Sequence, residues 1–166
     1  MQRVLALVCT LLGVAAGCTG RSRASPELAP DGGIVVEVVD GDTLDVRVAS
    51  GQVERVRLVG IDTPESVAPD QPVECHGPEA SAALADLLPD GSPVRLERDV
   101  EARDRFGRLL AYVFRQPDGL FVNEALAAAG EAEVLSIPPN TAYDATFTAA
   151  VQTARAAGAG LWGACR

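Results

Sequence analysis

Between Asp40 and Ser66 the chain reads DGDTLDVRVASGQVERVRLVGIDTPES, which gathers acids, threonines and arginines in a pattern that packing alone does not require. Asp40-Gly41-Asp42-Thr43 follows the apolar run Gly33 to Val39 and precedes the alternating run Leu44 to Val48, which predicts a tight turn with its acids at a strand end. Ala49-Ser50-Gly51-Gln52 predicts a second hairpin. The returning strand alternates Val53, Arg55 and Arg57 against Val56 and Leu58, so the two arginines share a face. It runs into Asp62-Thr63-Pro64-Glu65, where proline has no N–H to donate and ends the pairing. Antiparallel pairing of these strands brings Asp42, Arg57, Asp62 and Glu65 toward one point. Carboxylates with a backbone carbonyl form a hard-oxygen cage suited to Ca²⁺, and arginine's planar fork grips two phosphate oxygens. Metal, carboxylate base and arginine together are the equipment of phosphodiester cleavage.

The remaining elements supply a scaffold for that point. Pro78 suits a first helical position, Glu79 complements the dipole, and Ala80, Ala83, Leu84 and Leu87 fall at helical spacing before Pro89 stops them. Pro93 to Arg98 and Leu109 to Phe114 alternate as strands, separated by the polar loop Glu101 to Arg108; the turn Gln116-Pro117-Asp118-Gly119 closes the second strand. Val122, Ala125, Leu126 and Ala129 make a helical stripe ended by Gly130. Tyr143, Phe147, Ala150, Val151 and Ala154 make another, stopped by Gly158, with Thr141 and Asp144 expected as its capping box. Strands lead and helices follow, which gives an α+β class: a small five-stranded barrel carrying three helices.

A chain of 166 residues has length for one domain with a real core. Its formal charge of −9 repels polyanions at long range, so nucleic acid has to be held by a local basic patch and a metal. That balance counts against a tight, general nucleic-acid binder. Arg3 followed by the apolar run Val4 to Ala16 reads as a secretory signal over residues 1–17, too short for a permanent span. Ala15-Ala16-Gly17-Cys18 resembles a bacterial lipobox, which makes Cys18 the lipidated residue and a membrane anchor; an ordinary signal cut with secretion is the alternative. Residues 18–33, rich in Ser, Pro, Gly and Arg, are expected as a flexible tether before a domain over 34–166. Cys9 leaves with the signal, so export leaves Cys75 and Cys165 as a disulfide pair, two buried thiols being the alternative. His76, the one histidine, lacks zinc-site spacing and reads as a surface or helix-cap residue; Trp162 reads as packing for the tail.

The blocks VVDGDTLDV, RLVGIDTPES, GPEASA, DRFGRLLAYVF, VNEALAAAG and GLWG, in this order, resemble the staphylococcal nuclease (thermonuclease) family from about Val35 to Gly163. The resemblance implies an OB-fold barrel with three helices and Ca²⁺-dependent cleavage of DNA and RNA to 3′-phosphate products. It implies Arg57 and Arg108 as catalytic arginines and Glu65 as the catalytic glutamate. It also implies Asp42, Asp62 and the Thr63 carbonyl as Ca²⁺ ligands, with Asp40 in support. Single-stranded DNA and RNA are the expected substrates, and a monomer is expected. Two places depart from the family pattern. Leu135 to Asn140 lacks the aromatic rings against which a base rests, and Phe106 stands for a tyrosine, with Arg105 keeping positive charge beside it. A second reading, a non-catalytic ligand-binding module on the cell envelope, leaves Arg57, Glu65 and Arg108 without a purpose.

Overall fold

The structure, a computed structural model, describes residues 28–67 and 72–165. The expected signal, Cys18 with its lipid and most of the tether lie outside the described residues.

Five strands close a barrel in the order β1 (Gly32–Asp40), β2 (Thr43–Val48), β3 (Val53–Leu58), β6 (Leu109–Arg115) and β5 (Pro93–Glu97). The two hairpins predicted around Gly41 and Gly51 join β1 to β2 and β2 to β3, antiparallel, with Thr43 opposite Arg57 and Asp45 opposite Arg55. β3 and β6 pair in parallel from Val56 opposite Leu109 to Leu58 opposite Ala111, which closes the wall. Alternating side chains Val35, Leu44, Val46, Val56, Leu58, Val94 and Leu96 fill the barrel, none more than 6% exposed.

Helix α1 (Gly77–Leu87) buries Ala80 and Leu84, and α2 (Val122–Ala129) buries Val122 and Leu126. α3 (Asp144–Ala157) buries Phe147, Val151 and Ala154. Asn123, wholly buried, accepts from the Val113 N–H at 2.9 Å and donates to the Val59 carbonyl at 2.9 Å, so it ties α2 to the wall. Glycines in the left-handed conformation end α2 and α3 as expected, Gly130 at φ 82° and Gly158 at φ 63°. This is the α+β OB-fold barrel with three helices. Two short elements escaped the sequence: β4 (Gly60–Asp62) pairs with β7 (Glu133–Leu135) in a separate two-stranded sheet, and a single turn, α4 (Leu161–Ala164), ends the fold.

One local expectation is corrected. Thr141 and Asp144 form no capping box: Asp144 is the first residue of α3, its N–H meets the Thr141 carbonyl, and its carboxylate takes the Ser136 hydroxyl instead of reaching back. His76 sits at the N-cap of α1, as expected, with its side chain 11% exposed and its Nε2 2.7 Å from Glu131 Oε2. Trp162 packs against the core with the Arg155 guanidinium 4.9 Å from its ring centre, yet its buried Nε1 has no partner among the described residues. A disulfide joins Cys75 to Cys165 with Cα atoms 5.9 Å apart, holding the last turn to the segment before α1.

Candidate active site

The site starts from strand register. Thr43 opposite Arg57 sets the end of the first hairpin beside the C-terminal end of β3, and β3 leads through Val59 into β4, which ends at Asp62. Arg57, 9% exposed, is therefore enclosed by its own strand's continuation. Its Nη1 donates to the carbonyls of Leu58 (2.6 Å) and Ile61 (2.9 Å), and its Nη2 lies 2.6 Å from Asp62 Oδ1 and 3.0 Å from Asp42 Oδ2. Asp42 is fixed in turn: Oδ2 accepts the Thr63 N–H at 3.1 Å and Oδ1 the Thr43 hydroxyl at 3.0 Å. Asp42, Arg57, Asp62 and Thr63 thus share one point, and Thr63 Oγ1 is buried there without a partner among the described residues.

Electrostatics differ from acid to acid. Desolvation pushes the Asp62 carboxyl above its ordinary value, Arg57 pulls it down, and Asp42, Glu74 and Glu133 push it up again. Solvent still reaches 55% of that side chain, which softens the burial contribution. Asp40 goes the other way. Burial alone would raise it, but hydrogen bonding with the side chains of Ser66, Glu65 and Ser81 and with the Gly41 N–H holds it below the usual carboxylate value.

Glu65 follows in a segment of irregular backbone between β4 and α1. Its N–H donates to Glu74 Oε2 (2.9 Å), its carbonyl accepts the Glu74 N–H (2.8 Å), and its Oε1 accepts the Val67 N–H (2.9 Å).

Arg57 and Arg108 line the same groove, a cavity of about 500 Å³. Around it stand Arg105, Phe106, Ile137 and Asn140; Glu65, Asp42 and Asp62 are not part of its lining. Arg108 is held by Asp104, which accepts both its Nε (2.7 Å) and its backbone N–H (2.9 Å). The loop bearing it is pinned to β3 by Arg103, which grips Glu54 with two bonds of 2.8 and 2.9 Å. Phe106 is 69% exposed and Ile137 59%, and the Arg105 guanidinium lies 4.7 Å from the Phe106 ring centre. Sequence reasoning missed Ser66, Ser81 and Asn140, since each acts across more than a dozen residues. Asp104 was missed as well, though its place four residues before Arg108 was a signal that could have found it.

An OB-fold domain with an arginine braced between two aspartates on the barrel wall, and a second arginine across a groove, is the class that this geometry defines. The family model described as staphylococcal nuclease homologue matches residues 55–164. A thermonuclease of Staphylococcus intermedius is 39% identical over 84% of this chain and 81% of its own length, and one of Staphylococcus hyicus is 38% identical over 77% and 73%. Endonuclease YncB of Bacillus subtilis is 37% identical over 75% of this chain and 58% of its own. The chain belongs to the staphylococcal nuclease family.

Proposed function

We propose that this protein is an exported, Ca²⁺-dependent nuclease that cleaves single-stranded DNA and RNA to 3′-phosphate products. It is a phosphodiester hydrolase, in line with its thermonuclease and endonuclease relatives. The observation that carries the reading is that Arg57 and Arg108, from segments far apart in the chain, face one groove while two carboxylates meet at a nitrogen of the first.

The donors at that point suit a hard cation. Asp42, Asp62 and the Thr63 carbonyl would hold Ca²⁺ through oxygen alone, and the orphaned Thr63 hydroxyl marks unspent polar capacity beside them. Among the described residues no three His, Cys, Asp or Glu side chains gather as a metal-binding group, so a cation held there would need carbonyl and water oxygens as well. Bound there, the ion supplies Lewis-acid stabilisation of phosphoryl charge.

The chain's own groups do the rest. Glu65 takes a proton from water as the water oxygen bonds to phosphorus, the bond from phosphorus to the 5′ oxygen breaks, that oxygen takes a proton from solvent and leaves as a hydroxyl, and the phosphate stays on the 3′ side. Arg57 and Arg108 hold the non-bridging oxygens as charge grows on them; removal of one such donor commonly costs on the order of 10²- to 10³-fold in rate. Arg105, which makes no ion pair among the described residues, and the exposed Phe106 ring offer an unpaired strand a cation and a stacking face.

Export is supported by the leader pattern and by the Cys75–Cys165 bond, which suits an oxidising compartment. We assign residues 1–17 to the signal, Cys18 to lipid attachment, and expect a monomer. Labelling with palmitate that is lost in Cys18→Ala separates the anchored form from plain secretion.

Purified protein is expected to degrade heat-denatured DNA with Ca²⁺ and to stop with a chelator, and Ca²⁺ alone to raise its melting temperature. Glu65→Gln and Arg57→Gly should each remove most activity. Full rates in both variants would overturn the assignment.

A further inference from the structure

We propose that Ser66 and Ser81 are positioning residues, which fix Glu65 by clamping its loop onto Asp40. The inference rests on the reading of Glu65 as the proton acceptor. Asp40 ends β1 and is 9% exposed. One of its oxygens, Oδ1, accepts the Ser66 hydroxyl at 2.6 Å, the Ser81 hydroxyl at 3.1 Å and the Gly41 N–H at 2.8 Å, and the two hydroxyls lie 2.8 Å apart. Strand end, loop and helix α1 therefore meet at one atom.

The meeting governs where the Glu65 carboxylate points. Its Oε1 is held by the Val67 N–H, so its orientation follows the peptide between Ser66 and Val67. That peptide belongs to irregular backbone, and the Ser66 hydroxyl is what ties it to the barrel. The other flank is already fixed, because Glu74 brackets the Glu65 backbone and a Cβ on Gly77 would stand 2.5 Å from the Glu65 carbonyl oxygen. Ser66 thus ties the Val67 side of the loop to Asp40, the acid with which the Glu65 side chain also shares a hydrogen bond, and Ser81 braces its hydroxyl from the helix.

Steady-state kinetics of the processed full-length protein on denatured DNA test this. A misplacement near 1 Å costs on the order of 10²-fold in rate, so Ser66→Ala should lower kcat by about that factor with KM little changed. Ser66→Thr, which keeps the hydroxyl, should restore kcat, and Ser81→Ala should show a smaller loss. Placed in Glu65→Gln, Ser66→Ala should add no further loss, since nothing remains to be positioned. Wild-type kcat in Ser66→Ala, or an undiminished extra loss in the Glu65→Gln background, overturns the proposal. If Ser66→Ala does not fold, Ser81→Ala decides: a lowered kcat at unchanged KM sustains the clamp and a wild-type kcat removes it. Full activity of Glu65→Gln would instead remove the role of Glu65 itself.

Discussion

Arg57 and Arg108 face one groove from surroundings that differ in kind. Arg57 lies in the barrel wall, bonded to two carbonyls and two carboxylates, and its position is inherited from the register of β2 on β3. Arg108 stands on the rim, 31% exposed at its side chain, held by a carboxylate four residues away on the same loop. The wall cation cannot shift unless the sheet shifts, whereas the rim cation can follow a substrate. Pre-organisation is concentrated where the carboxylates are, and adaptability where the strand enters.

Substituting both arginines alike tests this contrast and should give the largest effects. Arg57→Leu strands Asp42, 8% exposed at its side chain, beside Asp62 without a counter-charge. Breaking a buried pair costs about 3 to 5 kcal/mol, so urea denaturation should reveal a loss of that order together with the loss of activity. Arg108→Leu should lose activity comparably but stability by less than about 1 kcal/mol, because its ion pair with Asp104 is local and wet. Equal stability losses would erase the distinction between wall and rim.

The rim has its own fixed point, and it yields the next effect in size. Asn140, 4% exposed, accepts the Glu101 N–H at 2.8 Å and donates to the Glu101 carbonyl at 2.9 Å, joining the two sides of the groove. Asn140→Ala leaves both Glu101 groups unpaired, which should cost about 1 to 3 kcal/mol and raise KM for denatured DNA with kcat little changed. A variant that changes kcat alone would place Asn140 with the wall instead.

Acid titration separates Asp104 on the rim from Asp62 on the wall by sign. Burial opposes ionisation of Asp104, but Arg108 and the Arg108 and Phe106 N–H groups hold its carboxyl below the ordinary value. Its contribution is therefore full above the unfolded-state value and fades as pH falls through the folded one. Asp62, raised by desolvation and by neighbouring acids, works in reverse: the folded state takes up its proton first, so acidification recovers stability there. With a chelator present, stability followed from about pH 5 downward should fall less steeply in Asp104→Asn than in the parent, and more steeply in Asp62→Asn. Parallel curves would remove the contrast.

The wall was the more legible of the two regions. Asp-Gly-Asp-Thr between an apolar and an alternating run, and the alternation Val53 to Leu58, specify both hairpins, and hairpin register alone carries Arg57 to Asp42. The rim was legible only as a polar loop. Its shape depends on Arg103 reaching Glu54 and on Asn140 reaching Glu101, pairs separated by 49 and 39 residues that no local pattern encodes. β4 and β7, at three residues each, are too short for alternation to register. The capping box misled because Thr141 and Asp144 match its spacing while the helix begins at Asp144 itself, and Ser136 claims the carboxylate.

Wall and rim also differ in how completely they satisfy their buried polar atoms, and here the smallest effect is expected. Asn140 has a partner for both ends of its amide, while Thr63 Oγ1, in the wall, has none among the described residues. An unpaired buried hydroxyl costs free energy that a methyl group of similar size does not, and the Asp42 bond to Thr63 uses the backbone N–H rather than the side chain. Thr63→Val should therefore raise stability by up to about 1 kcal/mol in the absence of metal, read as a higher urea midpoint at unchanged slope. The backbone carbonyl assigned to Ca²⁺ is untouched, so the rise in melting temperature on adding Ca²⁺ should persist. A loss of that Ca²⁺-dependent rise would mean that the hydroxyl, and not only the carbonyl, serves the ion, and the wall would then be under-satisfied for a reason.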